Sequence, residues 1–397
     1  MLTEKIKALS QEIHPDVVGI RRHLHTYPEL SYEEHQTSAY IKQRLDALGI
    51  SWKAVAGTGI LAMIRGKRNS DAVIALRADI DALPIQEKNN VEYASRHPGV
   101  MHACGHDFHT ASLLGTAQIL QAVSDQFGGT IKLLFQPGEE VLPGGASLMI
   151  KEGVLDNPRP TAVLGQHAMP RLTVGKIGIR SGKHMASMDA LIVRVIGKGG
   201  HGAEPHHVID PVVIASHIVI ALQQVVSRMA HPGDPTVLSF GKVIANGAIN
   251  VIPDEVYMEG TFRAMNEAWR NEAHKRMTEM ARGIASSMGA TCEFTIRRGF
   301  PFLINEEKLT LKVKQYAAEY LGPENIVDED IWMAAEDFAY YSQVVDSCFY
   351  LCGVGNPSQG ITSALHTPTF NIDENALTVS AGLMAYMAVR RLGNDAD

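Results

Sequence analysis

A chain of 397 residues is long for one hydrophobic core and reads as two domains. With 45% hydrophobic and 20% charged residues it is not a disordered chain, and a formal charge of −7 leaves no basic surplus for neutralising phosphates, which excludes a nucleic-acid partner. The longest apolar stretch, Val212 to Leu222, is broken by Ser216 and His217, so no membrane span is expected; Met1-Leu2-Thr3-Glu4-Lys5-Ile6-Lys7 has mixed charges and no secretion-signal centre.

The first part of the chain alternates helix and strand signals. Ile41, Leu45 and Leu48 form a helical stripe stopped by Gly49. Ala72 to Leu76 reads as a buried strand followed by Arg77-Ala78-Asp79-Ile80-Asp81, and Asp107 to Val123 reads as a helix. Thr130 to Phe135 is a strand ending at Gln136-Pro137-Gly138-Glu139-Glu140; Thr161 to Gly165 is another, ending at Gln166-His167. This rhythm predicts an α/β fold with a mainly parallel sheet and helices on both faces. Ligands of such sheets bind beyond the carboxyl ends of the strands, where Asp79, Asp81, Glu139, Glu140 and His167 fall.

From about residue 185 to 298 the order becomes β-α-β-β-α-β, the ferredoxin-like split unit. Its helices are Ile209 to Arg228, opening at Asp210-Pro211, and Glu267 to Met288. This unit is expected as an inserted domain, 185–298, within a metal-binding domain of 1–184 and 299–397. The alternating pattern resumes with a helix at Glu306 to Tyr320, a strand at Cys348 to Gly353 and a closing helix from Glu374 to Leu392.

Four cysteines make no disulfide framework. Cys348 and Cys352 bracket a strand, and four strand steps of roughly 3.3 Å separate them by about 13 Å, too far for a bridge that needs Cα atoms within about 7 Å. Cys292, Cys348 and Cys352 read as buried small hydrophobes, and the usage fits a reducing cytoplasm. Cys104 differs, because His102-Ala103-Cys104-Gly105-His106-Asp107 sets a thiol and an imidazole two residues apart before a helix. Thiolate and imidazole suit a borderline-soft divalent metal. Glu139-Glu140, His167 and His366 add carboxylate and imidazole donors from Gly/Pro-punctuated loops. Of two adjacent carboxylates, one can bind metal while the other serves as general base. Asp79 and Asp81 are candidates to orient ligating imidazoles, and His201, in Gly199-Gly200-His201-Gly202-Ala203, is a candidate ligand contact. The remaining histidines, including His35, His97, His109, His184, His206 and His207, read as structural or surface residues.

Several longer segments occur in a fixed order. They are Arg21-Arg22-His23-Leu24-His25, Pro28-Glu29-Leu30 with Glu33, Arg77 to Pro84, Met101 to Asp107, Gln136 to Glu140, Gly165 to His167, Gly199 to Ala203, Asn250-Val251-Ile252-Pro253-Asp254, and His366 to Phe370. Together they resemble the M20 metallopeptidase family, in its amidohydrolase branch of N-acyl-amino-acid, hippurate and auxin-conjugate hydrolases. The resemblance covers nearly the whole chain. It implies hydrolysis of an N-acyl amino acid to a carboxylic acid and a free amino acid. Cys104, His106, Glu140, His167 and His366 are the implied ligands of two divalent metal ions, with Cys104 bridging; zinc or manganese is expected, and cobalt or nickel occurs in the family. Glu139 is the implied general base and His201 the oxyanion contact, with Asn250 and Arg263 holding the substrate carboxylate. The inserted domain is implied to act as lid and dimerisation domain, giving a homodimer or higher homo-oligomer. Gly138 departs from the alanine common in these enzymes, which is expected to loosen the backbone before the base. Arg77 stands where the wider family has a metal-binding histidine. A dipeptidase or carboxypeptidase with the same centre, a Cys104 nucleophile, and a non-catalytic binding protein are the alternatives.

Overall fold

The computed structural model describes residues 2–393; Met1 and Asn394 to Asp397, the ends of the larger expected domain, lie outside the described residues. The chain divides into two compact units, one of Met1–His184, Ile304–Ile331 and Asp337–Asp397, the other of Met185–Leu303 and Trp332–Glu336.

The larger unit is built on an eight-stranded sheet. Its centre is four mutually parallel strands in the order Gly128–Gln136, Arg68–Asp79, Ala162–Thr173 and Ser347–Gly355. Antiparallel strands Gly59–Arg65 and Ser51–Val55 extend one side, and Ile177–Ile179 and Ile326–Asp328 the other. The central strands are apolar and buried because both sheet faces are covered. Alternation along Arg68–Asp79 shows this directly. Ile74, Leu76 and Ala78 share a core with residues of helices His106–Ala122 and Asn375–Leu392. Arg77 meets Gln136, Asp337 and the Phe338 ring instead.

The strand bearing His167 runs on to Thr173 rather than ending at Gly165. Its ladder with Ser347–Gly355 continues past the histidine, with Leu351 opposite His167. A polar side chain ends an apolar run without ending backbone pairing, so His167 sits inside a strand.

The smaller unit contains a four-stranded sheet in the order Thr236–Ile244, Glu255–Ala264, Asp189–Ile196, Thr291–Arg298, with every pair antiparallel. With helices Pro211–Gln224 and Glu267–Ser287 this is the ferredoxin-like arrangement. Leu191, Val193 and Val195 alternate onto the helix side, against a core that includes Ile218, Leu222, Met277 and Ala281. Asp210 caps the first helix through the Val212 N–H at 2.8 Å, and Asn266 caps the second through the Trp269 N–H at 3.1 Å. The unit extends to Leu303 because buried Arg270 grips both Asp189 and the Gly299 carbonyl. It takes in residues 332–336 because the Ala186 N–H bonds to the Ala334 carbonyl.

One helical stretch corrects the expectation of no membrane-length span. Pro211–Met229, 19 residues, is long and apolar enough to cross a membrane by length and composition. Here Ile214, Ala215, Ile218, Leu222 and Val225 pack into the smaller unit's core, while Val212, Val213 and Ile220 face outward.

Candidate metal centre and active site

The thiol–imidazole motif turns at Gly105, whose φ of 87° favours glycine and whose missing Cβ would lie 2.9 Å from that of Ala168. That turn opens helix His106–Ala122 and leaves Cys104 just outside it. The Cys104 Sγ lies 3.3 Å from His167 Nε2 and 3.2 Å from His366 Nε2. His366 holds a left-handed φ of 60°, with its N–H on the Ala103 carbonyl at 2.8 Å, and its Nε2 is also 3.4 Å from Glu140 Oε1. Three overlapping groups bring donor atoms within 4.8 Å of one another: Cys104–His106–His167, Cys104–Glu140–His366 and His106–Glu139–Glu140. Cys104 belongs to two of them, as a shared anionic ligand would.

Hydrogen bonds orient the imidazoles. His106 Nδ1 lies 2.9 Å from the Asp81 carbonyl and 3.1 Å from its Oδ1, so Nδ1 carries the proton and Nε2 presents a lone pair. His167 Nδ1 donates to the Ala168 carbonyl at 2.8 Å, which turns its Nε2 lone pair toward Cys104. Burial alone would push the His106 pKa down, but the carboxylates of Asp79 and Asp81 outweigh it and hold it up at about 10. His167 is driven the other way, by burial and by neighbouring His109. The pocket is therefore anionic around His106, a field that favours a cation of either kind, proton or metal.

The sequence reading gave Asp79 the task of orienting a ligand; the structure gives it another. Asp79 Oδ1 accepts from His109 Nδ1 at 2.5 Å, and His109 Nε2 accepts the Ala168 N–H at 2.8 Å. Both nitrogens of His109 are thus used, and its fully buried ring packs against both His106 and His167, with centroids at 5.4 and 4.8 Å. His109 is a brace that sequence reasoning filed as structural. Its position three residues after His106, one helical turn on, was the available signal. Arg77 and Asp337 complete this support. The Arg77 guanidinium donates to Asp79 at 2.7 Å, Asp337 at 2.7 Å and Gln136 at 2.9 Å, all out of solvent. Burial raises Asp337 to about 6 despite Arg77. Asp337 carried no motif signal.

The carboxylates of Glu139 and Glu140 have different surroundings. Glu139 Oε1 accepts the Asp337 N–H at 3.3 Å, whereas the Glu140 N–H binds Asp81 Oδ2 at 3.0 Å and its Oε1 faces His106 and His366. Gly138 does not loosen this loop. Its N–H binds Glu34 Oε1 at 2.8 Å, its carbonyl accepts from Gly145 at 3.0 Å, and a Cβ at its φ of 56° would come 2.4 Å from the Tyr32 ring.

Cys104, His106, Glu139, Glu140, His167 and His366 are thus brought together in the larger unit. His201, Asn250 and Arg263 lie in the smaller one. Gly200–His201 pairs with Val251–Ile252, and exposed His201 accepts the Ala203 N–H on Nδ1 at 3.1 Å, leaving Nε2–H as a donor. Exposed Asn250 takes the Gly202 N–H on its carbonyl at 2.8 Å. Arg263 is half-buried on Glu255–Ala264, with Nε 3.2 Å from Thr261 Oγ1.

The donor set suits a dinuclear metal centre. His106 Nε2 and Glu140 Oε1 are buried without a hydrogen-bond partner, a costly state for a lone pair and a carboxylate oxygen unless a cation takes them. Thiolate, imidazole and carboxylate together match zinc-type and manganese-type preferences.

Comparison with known proteins agrees with this geometry. Residues 75–390 match the model of Peptidase family M20/M25/M40. The chain is 41% identical to the N-acetyl-L-cysteine deacetylase of Bacillus subtilis (strain 168), over 96% of this chain and 89% of that one. It is 44% identical to an N-acyl-L-amino acid amidohydrolase of Geobacillus stearothermophilus, over 78% and 83% of the two chains. Among solved structures it superposes with a TM-score of 0.83 on the YXEP protein of Bacillus subtilis, a dinuclear metal binding peptidase, at 37% identity over 96% of this chain and 99% of that one. The chain belongs to peptidase family M20/M25/M40, whose members are metal-dependent hydrolases of amide bonds.

Proposed function

We propose that this enzyme hydrolyses N-acyl amino acids, releasing a carboxylic acid and a free amino acid. The observation that carries the reading is the clustering of four donors, His106, Glu140, His167 and His366, around Cys104 with a further carboxylate, Glu139, beside them. Cys104, His106, Glu140, His167 and His366 would hold two divalent ions, with the Cys104 thiolate shared. When bound, such ions polarise a carbonyl and make water a nucleophile at neutral pH. Zinc and manganese suit these donors best, with cobalt and nickel as further occupants.

Glu139, bonded to the Asp337 N–H beside His106 and Glu140, is assigned as general base. It takes a proton from the attacking water and returns it to the departing amine nitrogen as the C–N bond breaks. His201 is assigned as oxyanion donor; the fixed Nε2–H supports this. Asn250 and Arg263 are assigned to the substrate carboxylate, and burial of the Arg263 guanidinium makes an anion its natural complement. The smaller unit is assigned as lid and dimerisation domain. A second copy of this chain is the proposed partner, because an apolar groove lined by Val212, Val219, Ile220 and Val243 opens beside the edge strand Thr236–Ile244. A reducing cytoplasm is the proposed location, since no disulfide joins any of the four cysteines.

The test is metal content together with release of amino acid from a panel of N-acyl amino acids and unblocked dipeptides, before and after chelation. Two metals per chain, chelator-reversible activity and preference for blocked substrates are expected. Faster cleavage of dipeptides would move the reading to a dipeptidase. Glu139→Gln should lower turnover by roughly 10²–10⁴ with metal retained. Ile220→Glu should shift the sedimentation of the native assembly to that of single chains.

A further inference from the structure

The loop Pro137 to Gly145, which carries Glu139 and Glu140, is held from outside by one short N-terminal segment. Ser31 donates its hydroxyl to Asp81 Oδ2 at 2.7 Å, the oxygen that also accepts the Glu140 N–H. Glu34 Oε1 accepts the Gly138 N–H at 2.8 Å and the Tyr32 N–H at 2.9 Å, while its Oε2 takes the Thr58 hydroxyl at 2.5 Å. Between them the Tyr32 hydroxyl donates to the Val141 carbonyl at 3.0 Å and accepts the Gly144 N–H at 3.1 Å. One segment thus reaches the loop backbone directly at residues 138, 141 and 144, and at 140 through Asp81.

Two further features single out Tyr32. Its own φ is 66°, a region bulky residues avoid, so local bonding must sustain it. Its ring also fills the space beside Gly138, where a Cβ would come within 2.4 Å of Cε1 and 2.5 Å of Cζ. We propose that Tyr32 is a positioning residue for the acid pair, its hydroxyl stapling the loop across Val141 and Gly144 and its ring requiring glycine at 138. The bonds reach main-chain atoms that flank Glu139 and Glu140 and no reacting group, so Tyr32 acts through the direction in which the two carboxylates point. This rests on the assignment of Glu139 as base. A displacement of about 1 Å at such a group can cost on the order of 10² in rate.

Tyr32→Phe keeps the ring and removes both hydroxyl bonds. In the metal-loaded enzyme kcat should fall roughly 10-fold, the effect of losing one or two ordinary hydrogen bonds from a positioned loop, with KM within about threefold. In the metal-free protein the Gly144 amide should exchange with solvent about threefold faster, one of its two acceptors having been lost while the Val141 carbonyl at 3.0 Å remains. A kcat within about twofold of the parent overturns the proposal, and so does a fall in kcat without faster exchange at Gly144. The pairing is tested by Gly138→Ala with and without Tyr32→Ala. Because removing the ring frees the space a Cβ at 138 would need, the relative kcat of the double variant should be at least about fivefold higher than the product of the two single-variant relative kcat values, and simple additivity overturns the pairing. Glu139→Gln is measured alongside. Full activity there removes the base assignment, while exchange at Gly144 still reports on the staple.

Discussion

In the larger unit most of the polar groups around Cys104 are shut away from solvent and cross-braced, His366 being the exposed member; in the smaller unit His201 and Asn250 stand exposed, each tied mainly by backbone. Asp79, Asp81, Asp107, His106, His109 and Asp337 are all buried and each is hydrogen-bonded, Asp107 to the Arg21 guanidinium at 2.7 Å. The difference teaches where each kind of precision comes from. A buried charge must be paired, so burial forces the larger unit's donors into fixed tautomers and directions. The exposed imidazole of His201 is held on its glycine-rich turn by one local bond, from the Ala203 N–H to Nδ1, and no buried charge fixes the direction of its Nε2–H.

The sharpest way to break that comparison is Arg77→Met, which strands Asp79 and Asp337 in a dry interior. It should cost about 3–5 kcal/mol of stability in thermal or denaturant unfolding. A variant that unfolds like the parent would mean the network is not a brace. Next comes His201→Ala, expected to lower kcat by roughly 10²–10³ if it donates to an oxyanion. Melting temperature and metal content should not move, since nothing in either core depends on that ring. Unchanged turnover would remove His201 from the site. The smallest effect is read from pH. Burial, with Arg180 and Arg171 nearby, holds the His184 pKa down at about 4, and neither ring nitrogen has a hydrogen-bond partner. Between pH 6.5 and 4 the unfolded chain binds a proton that the folded chain refuses, so stability falls as pH is lowered through that window, by about 3 kcal/mol in all. His184→Gln should flatten that part of the stability curve. An unchanged slope would assign the loss to other groups.

Much of the site was legible in the sequence because metal ligation is demanding of residue type. Thiol, imidazole and paired carboxylates after apolar strands are rare enough in combination that Cys104, His106, Glu139, Glu140, His167 and His366 could be named from the sequence alone. The helix start at Asp210-Pro211 was equally legible, since capping is a local matter of one side chain and one N–H. Supporting residues were harder. His109 and Asp337 are two ordinary residue types whose roles come only from what faces them, 30 residues away for His109–Asp79 and 260 for Arg77–Asp337. Gly138 was misread for the same reason: its constraint is the ring of Tyr32, far off in sequence.

The sequence by itself therefore determined the family, the alternation of strands and helices, the ferredoxin-like insertion and the set of donor atoms. Each of these is written in local pattern or residue chemistry. Only the tertiary structure decided that Asp79 braces His109, that Arg77 joins Asp79 to Asp337, and that Ser31, Tyr32 and Glu34 hold the acid loop. Such pairings follow from which buried polar groups must satisfy one another once the chain is packed, and no spacing along the chain encodes that.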